Sequence, residues 1–427
     1  MLSRFSLLIF FSLSLGAIEK VDAATFYWDA NGATAGVGGT GTWDTTSSLW
    51  RLDSEIGTLT TYISAVTSDA FLTGTAGTLT LNSDIALNTL TFGATSGTYT
   101  ITGQTLQLKD RNGKDKQGVI NVLDTNAAII ASNLDLGASN SNNARIDLNV
   151  DNGTAENDLV VSGQITNSND IFKNGLGKAV FSNTNNTYSG ATQVNAGVLQ
   201  IDGVIASAVT VNSGATLSGS GSVSKAITVK GLGALRPGNK TDAGSGIGTF
   251  TLSGTGADGN LTVETSGTLG LQLGANGIAF ANQASTFYSS PGVLNTAYTT
   301  VGNRVAGAND RIVVGGTLTL VAGSVIDIEL NGYAPTLGSA FDVLDWTTFT
   351  QNAFTIGPMS NLRTGADNAS YDLNLPDITA INSNYRWDVS LFASNGIIVV
   401  VPEPSRVILL MAGIVAGLLR RRRKHVV

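Results

Sequence analysis

The chain has 427 residues, of which 51 are glycine and 13% are charged. Globular domains usually have about 25% charged residues and about 7% glycine, so this composition excludes coiled coils and charge-rich disorder and favours a β-rich fold. Cysteine is absent, and the single histidine is His425. The folded region therefore has no thiolate nucleophile, disulfide, Cys/His zinc site or Ser-His triad.

Residues 1–23 have the pattern of a secretory signal peptide. Arg4 precedes an apolar run over residues 5–17, and small residues lead to a cleavage position between Ala23 and Ala24. A buried N-terminal helix is the alternative, but the serines in the run follow no amphipathic face. The sequence therefore predicts export, with an N-terminal signal helix that is removed.

Glycine-rich and aromatic stretches follow in residues 24–110. The string Gly36–Gly41 matches the G-x-G-x-x-G pattern of dinucleotide sites, but no helix starts after it, so we interpret it as a turn. Trp28, Trp43 and Trp50 lie close together in sequence. Packing in an N-terminal cap is the preferred interpretation, and a ligand platform that stacks on sugar rings is the alternative.

Threonines alternate with other residues in three short segments of the same region. They are Thr78 and Thr80, Thr89 and Thr91, and Thr98, Thr100 and Thr102. Outward pairs of this kind could build the flat array of an ice-binding solenoid. Threonine is also simply a good strand residue, so ice binding is the third of the functions that we consider.

Short alternating segments recur between residues 24 and 400 on the template apolar-x-apolar-x-x-Gly-x-x-apolar. The copies that begin at Val209 and Leu318 agree at every apolar and glycine position, and another copy begins at Ile227, eighteen residues after Val209. In this copy Leu232 stands in the glycine slot. Two more copies begin at Leu261, with the glycine displaced to Gly267, and at Leu79, with Asp84 in the slot. The repeat predicts a modular architecture.

Period-two alternation on both sides of a turn gives two short strands that cannot bury their inner face alone, so the copies must stack. Parallel stacking at about 4.8 Å per coil buries one continuous apolar interior. We predict an all-β fold, a right-handed parallel β-helix (β-solenoid), with residues 111–345 as its repeat region. Val211, Val229, Val263 and Leu320 should then point inward.

A β-sandwich is the competing architecture. It requires antiparallel hairpins with two-residue turns, for which Asn112-Gly113 and Asn152-Gly153 are candidates. A solenoid instead requires caps on its first and last coils, because these coils expose apolar interior and strand edges. The aromatic residues near Trp28 suit an N-terminal cap, so residues 24–110 are predicted to form this cap and the first solenoid coils. A C-terminal cap is suited by residues 346–400. The aromatic segment from Phe341 to Trp346 leads into this region, and Trp387 lies near its end.

The segment from Asn186 to Leu199, NTYSGATQVNAGVL, resembles the autotransporter-associated β-strand repeat. This resemblance implies a passenger-like β-helix of the kind displayed on the surface of Gram-negative bacteria. That family usually has a C-terminal outer-membrane barrel, whereas here a short tail follows the repeats. We therefore expect surface delivery by another route.

Carboxylate pairs are the only candidates for catalysis. Asp327 and Glu329 alternate with apolar residues on one strand, and Glu156 and Asp158 bracket an asparagine. Such pairs could serve glycoside hydrolysis, but solvated acids are the preferred interpretation. The non-repetitive insertion 276–311 is where we expect recognition, because insertions in solenoids form loops on one face.

The last segment, residues 401–427, has three parts. Pro402, Glu403, Pro404 and Ser405 precede the uncharged run 407–419, and a basic cluster follows: Arg420, Arg421, Arg422, Arg423 and Lys424. A helix of the thirteen residues 407–419 is about 20 Å long and spans a hydrocarbon core of about 30 Å poorly. The cluster would hold this end in the cytoplasm.

These three parts resemble the PEP-CTERM sorting tag of Gram-negative bacteria. The resemblance implies transient inner-membrane attachment, recognition near Pro402 by an exosortase-type membrane protease, and release or transfer to the surface. Arg406 and the extension after Lys424 depart from the usual pattern. An ordinary tail anchor is the alternative.

Residues 24–405 have 16 basic and 29 acidic side chains, a balance that disfavours binding to nucleic acid. We predict an exported, non-enzymatic surface or matrix protein of the adhesin type, with exopolysaccharide or other envelope components as partners. A polysaccharide-binding or polysaccharide-cleaving solenoid is the alternative. No cofactor is expected, although carboxylates alone could hold structural calcium.

Overall fold

Short strands make up almost all regular structure in the computed structural model. The structure describes residues 24–34, 36–108, 117–123, 127–137, 145–239, 246–274, 288–290, 293–294 and 309–403. The predicted signal peptide, Pro404 to Val427 and most of the insertion 276–311 lie outside these ranges. Within them, no helix is both long and apolar enough to cross a bilayer.

The first half of the chain has eighteen strands. In chain order they are β1 (Ala24–Trp28), β2 (Gly41–Trp43), β3 (Trp50–Leu52), β4 (Leu59–Thr60), β5 (Ser68–Thr75), β6 (Thr78–Leu81), β7 (Ile85–Leu87), β8 (Thr89–Ser96), β9 (Tyr99–Gly103), β10 (Leu106–Leu108), β11 (Gln117–Val122), β12 (Ala128–Ile130), β13 (Leu134–Asp135), β14 (Arg145–Val150), β15 (Leu159–Val161), β16 (Ile165–Thr166), β17 (Asp170–Asn174) and β18 (Lys178–Phe181).

The second half has the remaining strands and one short α-helix. The strands are β19 (Thr192–Val194), β20 (Val198–Ile201), β21 (Val204–Ile205), β22 (Val209–Val211), β23 (Thr216–Gly219), β24 (Ser222–Val223), β25 (Ile227–Val229), β26 (Ala234–Pro237), β27 (Thr249–Leu252), β28 (Leu261–Val263), β29 (Thr268–Leu273), β30 (Tyr288–Ser290), β31 (Val293–Leu294), β32 (Arg311–Val321), β33 (Val325–Leu330), β34 (Ala340–Asp342), β35 (Leu344–Asn352), β36 (Leu362–Arg363), β37 (Leu373–Asn374), β38 (Tyr385–Asp388) and β39 (Ile397–Pro402). The helix is α1 (Phe392–Asn395), and 3-10 turns lie at Gly256–Gly259, Asn368–Ser370 and Ile378–Ala380.

The strands stack in parallel, coil upon coil, as the repeat predicts. Sheet A contains β1, β5, β8, β11, β14, β17, β19, β22, β25, β28, β32 and β35 in that spatial order, with β3 and β4 added antiparallel at its first strand. Sheet B runs β2, β6, β9, β12, β15, β18, β20, β23, β26, β29, β33 and β37. A third face is formed by β7, β10, β13 and β16, and later by β21, β24 and β27.

The interior is one continuous apolar core. Val211, Val229, Val263 and Leu320 are all 0% exposed, and their strands pair in parallel with these four residues in register. The prediction that they point inward is therefore confirmed. The sandwich alternative fails at Asn152-Gly153, because the flanking strands β14 and β15 pair in different sheets and form no hairpin.

A turn residue with left-handed backbone recurs after each inward strand of these coils. Gly214, Leu232, Ser266 and Gly323 have φ values of 77°, 64°, 65° and 73°. Each backbone N–H of the first three donates to the carbonyl of the next at 2.7 to 3.0 Å. Ser266 thus takes the position that the sequence interpretation gave to a displaced Gly267. The stack keeps the turn even where glycine is missing.

The C-terminal end has its own antiparallel sheet, in the order β34, β39, β38, β36, which we call the cap sheet. A buried charge cluster joins it to the last coils. Arg311 Nε donates to Asp345 Oδ2 at 2.5 Å, and Arg311 Nη2 lies 3.3 Å from Asp342 Oδ2. Because Asp342 lies on β34 and Arg311 on β32, the cluster ties cap sheet to solenoid.

Candidate functional site

The three tryptophans of the predicted ligand platform lie in the core. Trp28, Trp43 and Trp50 are 0%, 0% and 1% exposed. The Trp50 ring lies 5.1 Å from that of Trp28 and 4.8 Å from that of Trp43, measured between centroids. A ring without an exposed face cannot stack on a sugar, so the alternative of a ligand platform is wrong and the preferred interpretation, packing of the three rings, is the one observed. The rings instead fill the first coil, together with Phe26 and Tyr62.

The candidate carboxylates do not assemble into an acid pair between coils. Asp327 lies opposite Gly270 and Glu329 opposite Gln272 in the neighbouring strand, and Glu329 also contacts Arg236 at 3.4 Å. Asp158 is buried and accepts hydrogen bonds from two backbone N–H groups. Among the described residues, no three Asp, Glu or His side chains converge as metal ligands.

The predicted threonine array is incomplete. Thr80 and Thr102 lie in neighbouring coils with their hydroxyls 3.5 Å apart, but Thr91 is buried at 2% exposure. The register instead aligns a column of threonines that sequence reasoning missed. Its members are Thr210, Thr228, Thr262, Thr319 and Thr350. One column does not make a flat two-dimensional array, so this arrangement does not favour ice binding.

The most regular polar feature is a ladder of asparagine side chains along sheet A. Each Nδ2 donates to the Oδ1 of the asparagine one coil earlier, at 2.7 to 3.0 Å. The first member donates to Thr91 Oγ1 at 3.2 Å. All members are half-buried. The asparagine ladder consists of Asn121, Asn149, Asn174, Asn195 and Asn212.

The ladder presents a neutral row of donors and acceptors. An asparagine amide has two N–H groups and two oxygen lone pairs, and an interior ladder position uses one of each. The remaining N–H and lone pair repeat at the coil spacing of about 4.8 Å. Such a row suits a polymer rich in hydroxyl groups better than a charged one. The ladder is the candidate site.

A lysine lies in the core column directly behind the ladder. Lys173 is 0% exposed and stands in register with Leu148 and Val194. Its Nζ donates to the carbonyls of Asn174, Gly175 and Ala196 at 2.9 to 3.1 Å. Burial lowers the pKa of Lys173 to about 8, while the charge of Asp158 acts in the opposite direction. The lysine thus holds a turn beneath the ladder.

Only the first part of the predicted sorting motif lies within the described residues. Pro402 ends β39 opposite Tyr385, and the Glu403 side chain contacts Arg386 Nη2 at 2.9 Å. Ala23, Pro404, Ser405 and the basic cluster lie outside the described ranges. Ala24 begins β1. The motif therefore starts at the end of the described part of the chain.

Two comparisons with known proteins agree with this architecture. Residues 171–201 match the family model of the passenger-associated-transport-repeat, a range that covers β17 to β20 and two ladder asparagines. A stretch of 264 residues is 28% identical to the "Adhesin BmaC autotransporter" of Brucella suis biovar 1. The match covers 57% of this chain but 6% of the adhesin. The chain is thus similar to part of an autotransporter adhesin.

Proposed function

We propose that this protein is an exported, surface-displayed adhesin-like solenoid without enzymatic activity. The observation that carries the proposal is the transport-repeat match at residues 171–201, because it falls on parallel coils whose asparagines form the ladder. The similarity to an adhesin supports the same conclusion. Right-handed winding is part of the proposal, since about 98% of parallel crossover connections have that hand.

The distribution of acids supports a binding role over a catalytic one. Glycosidases need two carboxylates within about 5 to 10 Å of each other across the scissile bond. Glu329 is paired with Arg236 at 3.4 Å, and Asp158 is buried and hydrogen-bonded to backbone, so one carboxylate of each candidate pair is already engaged. We infer that the solenoid binds rather than cleaves. The neutral ladder suits an exopolysaccharide as the binding partner. Exopolysaccharide binding is therefore the second candidate function.

We further propose that the protein is processed at both ends, after Ala23 and near Pro402, with an exosortase-type protease as partner for the second cut. The tail supports this inference, because thirteen uncharged residues over 407–419 are a marginal permanent anchor. Transient attachment to the inner membrane, followed by transfer to the surface, would explain why the sequence has both a signal-peptide pattern and a sorting-tag pattern. The tail would serve recognition rather than anchoring.

Fractionation of cells that produce the wild-type protein tests location and processing together. Antibody against the repeat region should label intact cells, and those cells should attach to an exopolysaccharide-coated surface more than cells without the protein. Intact mass of the surface material should lack residues 1–23 and 406–427. Labelling only after permeabilisation would contradict surface display, and surface material that keeps residues 406–427 would make the tail an anchor.

Two variants separate recognition of the motif from its role in the fold. Glu403→Ala should leave full-length protein in the inner membrane. Arg386→Ala breaks the same ion pair, 2.9 Å long, but leaves the motif intact, so it should be processed like wild type. Equal retention of both variants would mean that the ion pair, and not recognition of Glu403, controls export.

A further inference from the structure

Within the described part of the chain, the last strand of sheet A has one edge without a partner strand. β35 pairs with β32 along one side, and Gly396 covers the start of its other side by accepting from the N–H groups of Val343 and Leu344. From Trp346 to Asn352, no described residue pairs with that second side. This seven-residue edge is therefore open to another strand.

Three other edges at sheet ends of the described structure are covered. At the first end of sheet A, β3 pairs with β1. The edge of β7 is covered by side chains, because Ser64 Oγ accepts from Ala86 N and Tyr62 OH donates to Ala86 O. Arg363 Nη1 donates to Leu373 O at 2.5 Å on β37. Unlike these three edges, the second edge of β35 has no partner strand among the described residues.

The open edge lacks two of the features that prevent strands from associating, and the third, a bulge, is confined to Val314–Thr317 of its partner strand β32. Natural edge strands are protected by charged side chains, proline or bulges that turn them away. Residues 346–352, WTTFTQN, have neither charge nor proline, and their threonines and aromatic residues favour strand pairing. Trp346 and Phe349 lie 4.9 Å apart and stay half-buried at the end of the core. A further strand would cover them.

We propose that the free edge of β35 pairs antiparallel with the same edge of a second copy, joining two solenoids tail to tail. Pairing centred on Phe349 places that ring opposite its own copy, Thr348 opposite Thr350, and Thr347 opposite Gln351. Aromatic and threonine pairs of this kind stabilise antiparallel strands. The contact is isologous and closes as a two-fold dimer.

Charge is the reason for choosing a second copy as the occupant. Residues 24–405 have 29 acidic and 16 basic side chains, so two copies repel each other over most surfaces. The edge from Trp346 to Asn352 is uncharged, and it pairs with itself without opposing like charges. The antiparallel register is also self-complementary, which a strand of a different protein need not be.

Sedimentation of the full-length chain in detergent, over a hundredfold range of concentration, tests the proposal. The wild type should form a dimer that dissociates on dilution. The double variant Thr348→Lys, Thr350→Lys places like charges directly opposite each other in the dimer, which is unfavourable. It should raise the dissociation constant at least tenfold while leaving the circular dichroism spectrum unchanged.

A matched control changes the charge equally elsewhere on the same sheet. Thr210→Lys, Thr262→Lys adds two lysines two coils apart in the middle of sheet A, where both edges of each strand are paired. This variant should remain dimeric. A monomeric wild type would overturn the proposal. So would a dimer that survives the substitutions at 348 and 350, because its contact would then lie elsewhere, such as in the tail.

Discussion

At the scale of single residues, the stack imposes a backbone conformation on side chains that do not prefer it. Leu232 has φ 64° in the turn where Gly214 and Gly323 have similar values. For a residue with a Cβ atom this region costs about 1 to 2 kcal/mol. Leu232 is 71% exposed, so burial of its side chain does not offset that cost. The turn is held by its neighbours.

Replacing Leu232 by glycine should therefore stabilise the protein. Relief of the left-handed strain outweighs the added flexibility of glycine in the unfolded chain, and we expect a gain of about 0.5 to 1 kcal/mol in the free energy of unfolding. Urea unfolding measures it. Gly214→Ala is the matched control, because nothing lies within 4 Å of the added Cβ. It should lower stability through backbone strain alone, and a loss of stability in Leu232→Gly would refute the explanation.

Lys173 gives the protein a specific dependence on pH. Its folded-state pKa of about 8 lies below the ordinary lysine pKa of 10.5, so between these values the unfolded chain binds more protons. Stability should rise with pH there, by roughly 1 to 2 kcal/mol between pH 7.5 and 9.5. Lys173→Met should lack this rise. A wild-type and a variant profile with the same slope would contradict the assignment.

Buried tyrosines set the upper pH limit of that measurement. Burial raises the pKa of Tyr188 to about 12 and that of Tyr62 well above its usual value, so their contribution is present below pH 10 and lost above it. The measurement therefore stops at pH 9.5. Lys230→Met is the matched control, because Lys230 is exposed and its loss should leave the rise in place.

At the scale of elements, the asparagine ladder joins each coil to the next through side-chain hydrogen bonds. An interior member takes part in two side-chain hydrogen bonds and the last member in one. Asn149→Ala should therefore destabilise the protein more than Asn212→Ala, by about 0.5 to 1.5 kcal/mol. Urea unfolding of both variants measures the difference. Equal losses would mean that the ladder contributes no net stability.

The same two variants test the ladder as a binding surface. Each removes one amide from the row, and Asn212→Ala leaves the other four linked. If the row binds exopolysaccharide, cosedimentation of folded protein with the polymer should fall more for Asn149→Ala than for Asn212→Ala. Unchanged binding in both variants would place the polymer on another face.

A feature of the fold can be predicted when its signal lies within one strand, and much less easily when it depends on contacts between coils. Alternation within one strand is local, so the inward positions of Val211 and Leu320 follow from the repeat alone. The ladder depends on the register between coils, which a single copy does not contain. A signal exists in hindsight, since Asn195 and Asn212 each follow the last inward valine of a strand.

The tryptophans illustrate the opposite case. Their spacing in sequence is compatible with either an exposed platform or a cap, and only the closure of the first coil decides. Trp28, Trp43 and Trp50 lie on three different strands, and β3 turns back antiparallel onto β1. That reversal places the Trp50 ring against the other two. No periodic pattern in the sequence predicts this reversal of β3.

At the scale of the whole molecule, each coil is bonded mainly to the coils on either side of it. Stability in such a stack is close to a sum over coils and their contacts. The two ends are special because they lack one neighbour. Aromatic rings fill the first coil, whereas the cap sheet and the Arg311 cluster close most of the last coils.

The parallel stacking also determines how the protein responds to mechanical load. The hydrogen bonds between coils run along the solenoid axis, so tension between the two ends pulls each bond in its own direction and separates coils one at a time. A coil such as residues 209–226, eighteen residues long, would release roughly 60 Å of extended chain. A filament tethered at one end and loaded at the other would lengthen stepwise. Adhesion under flow could then persist through extension rather than depend on the strength of one contact.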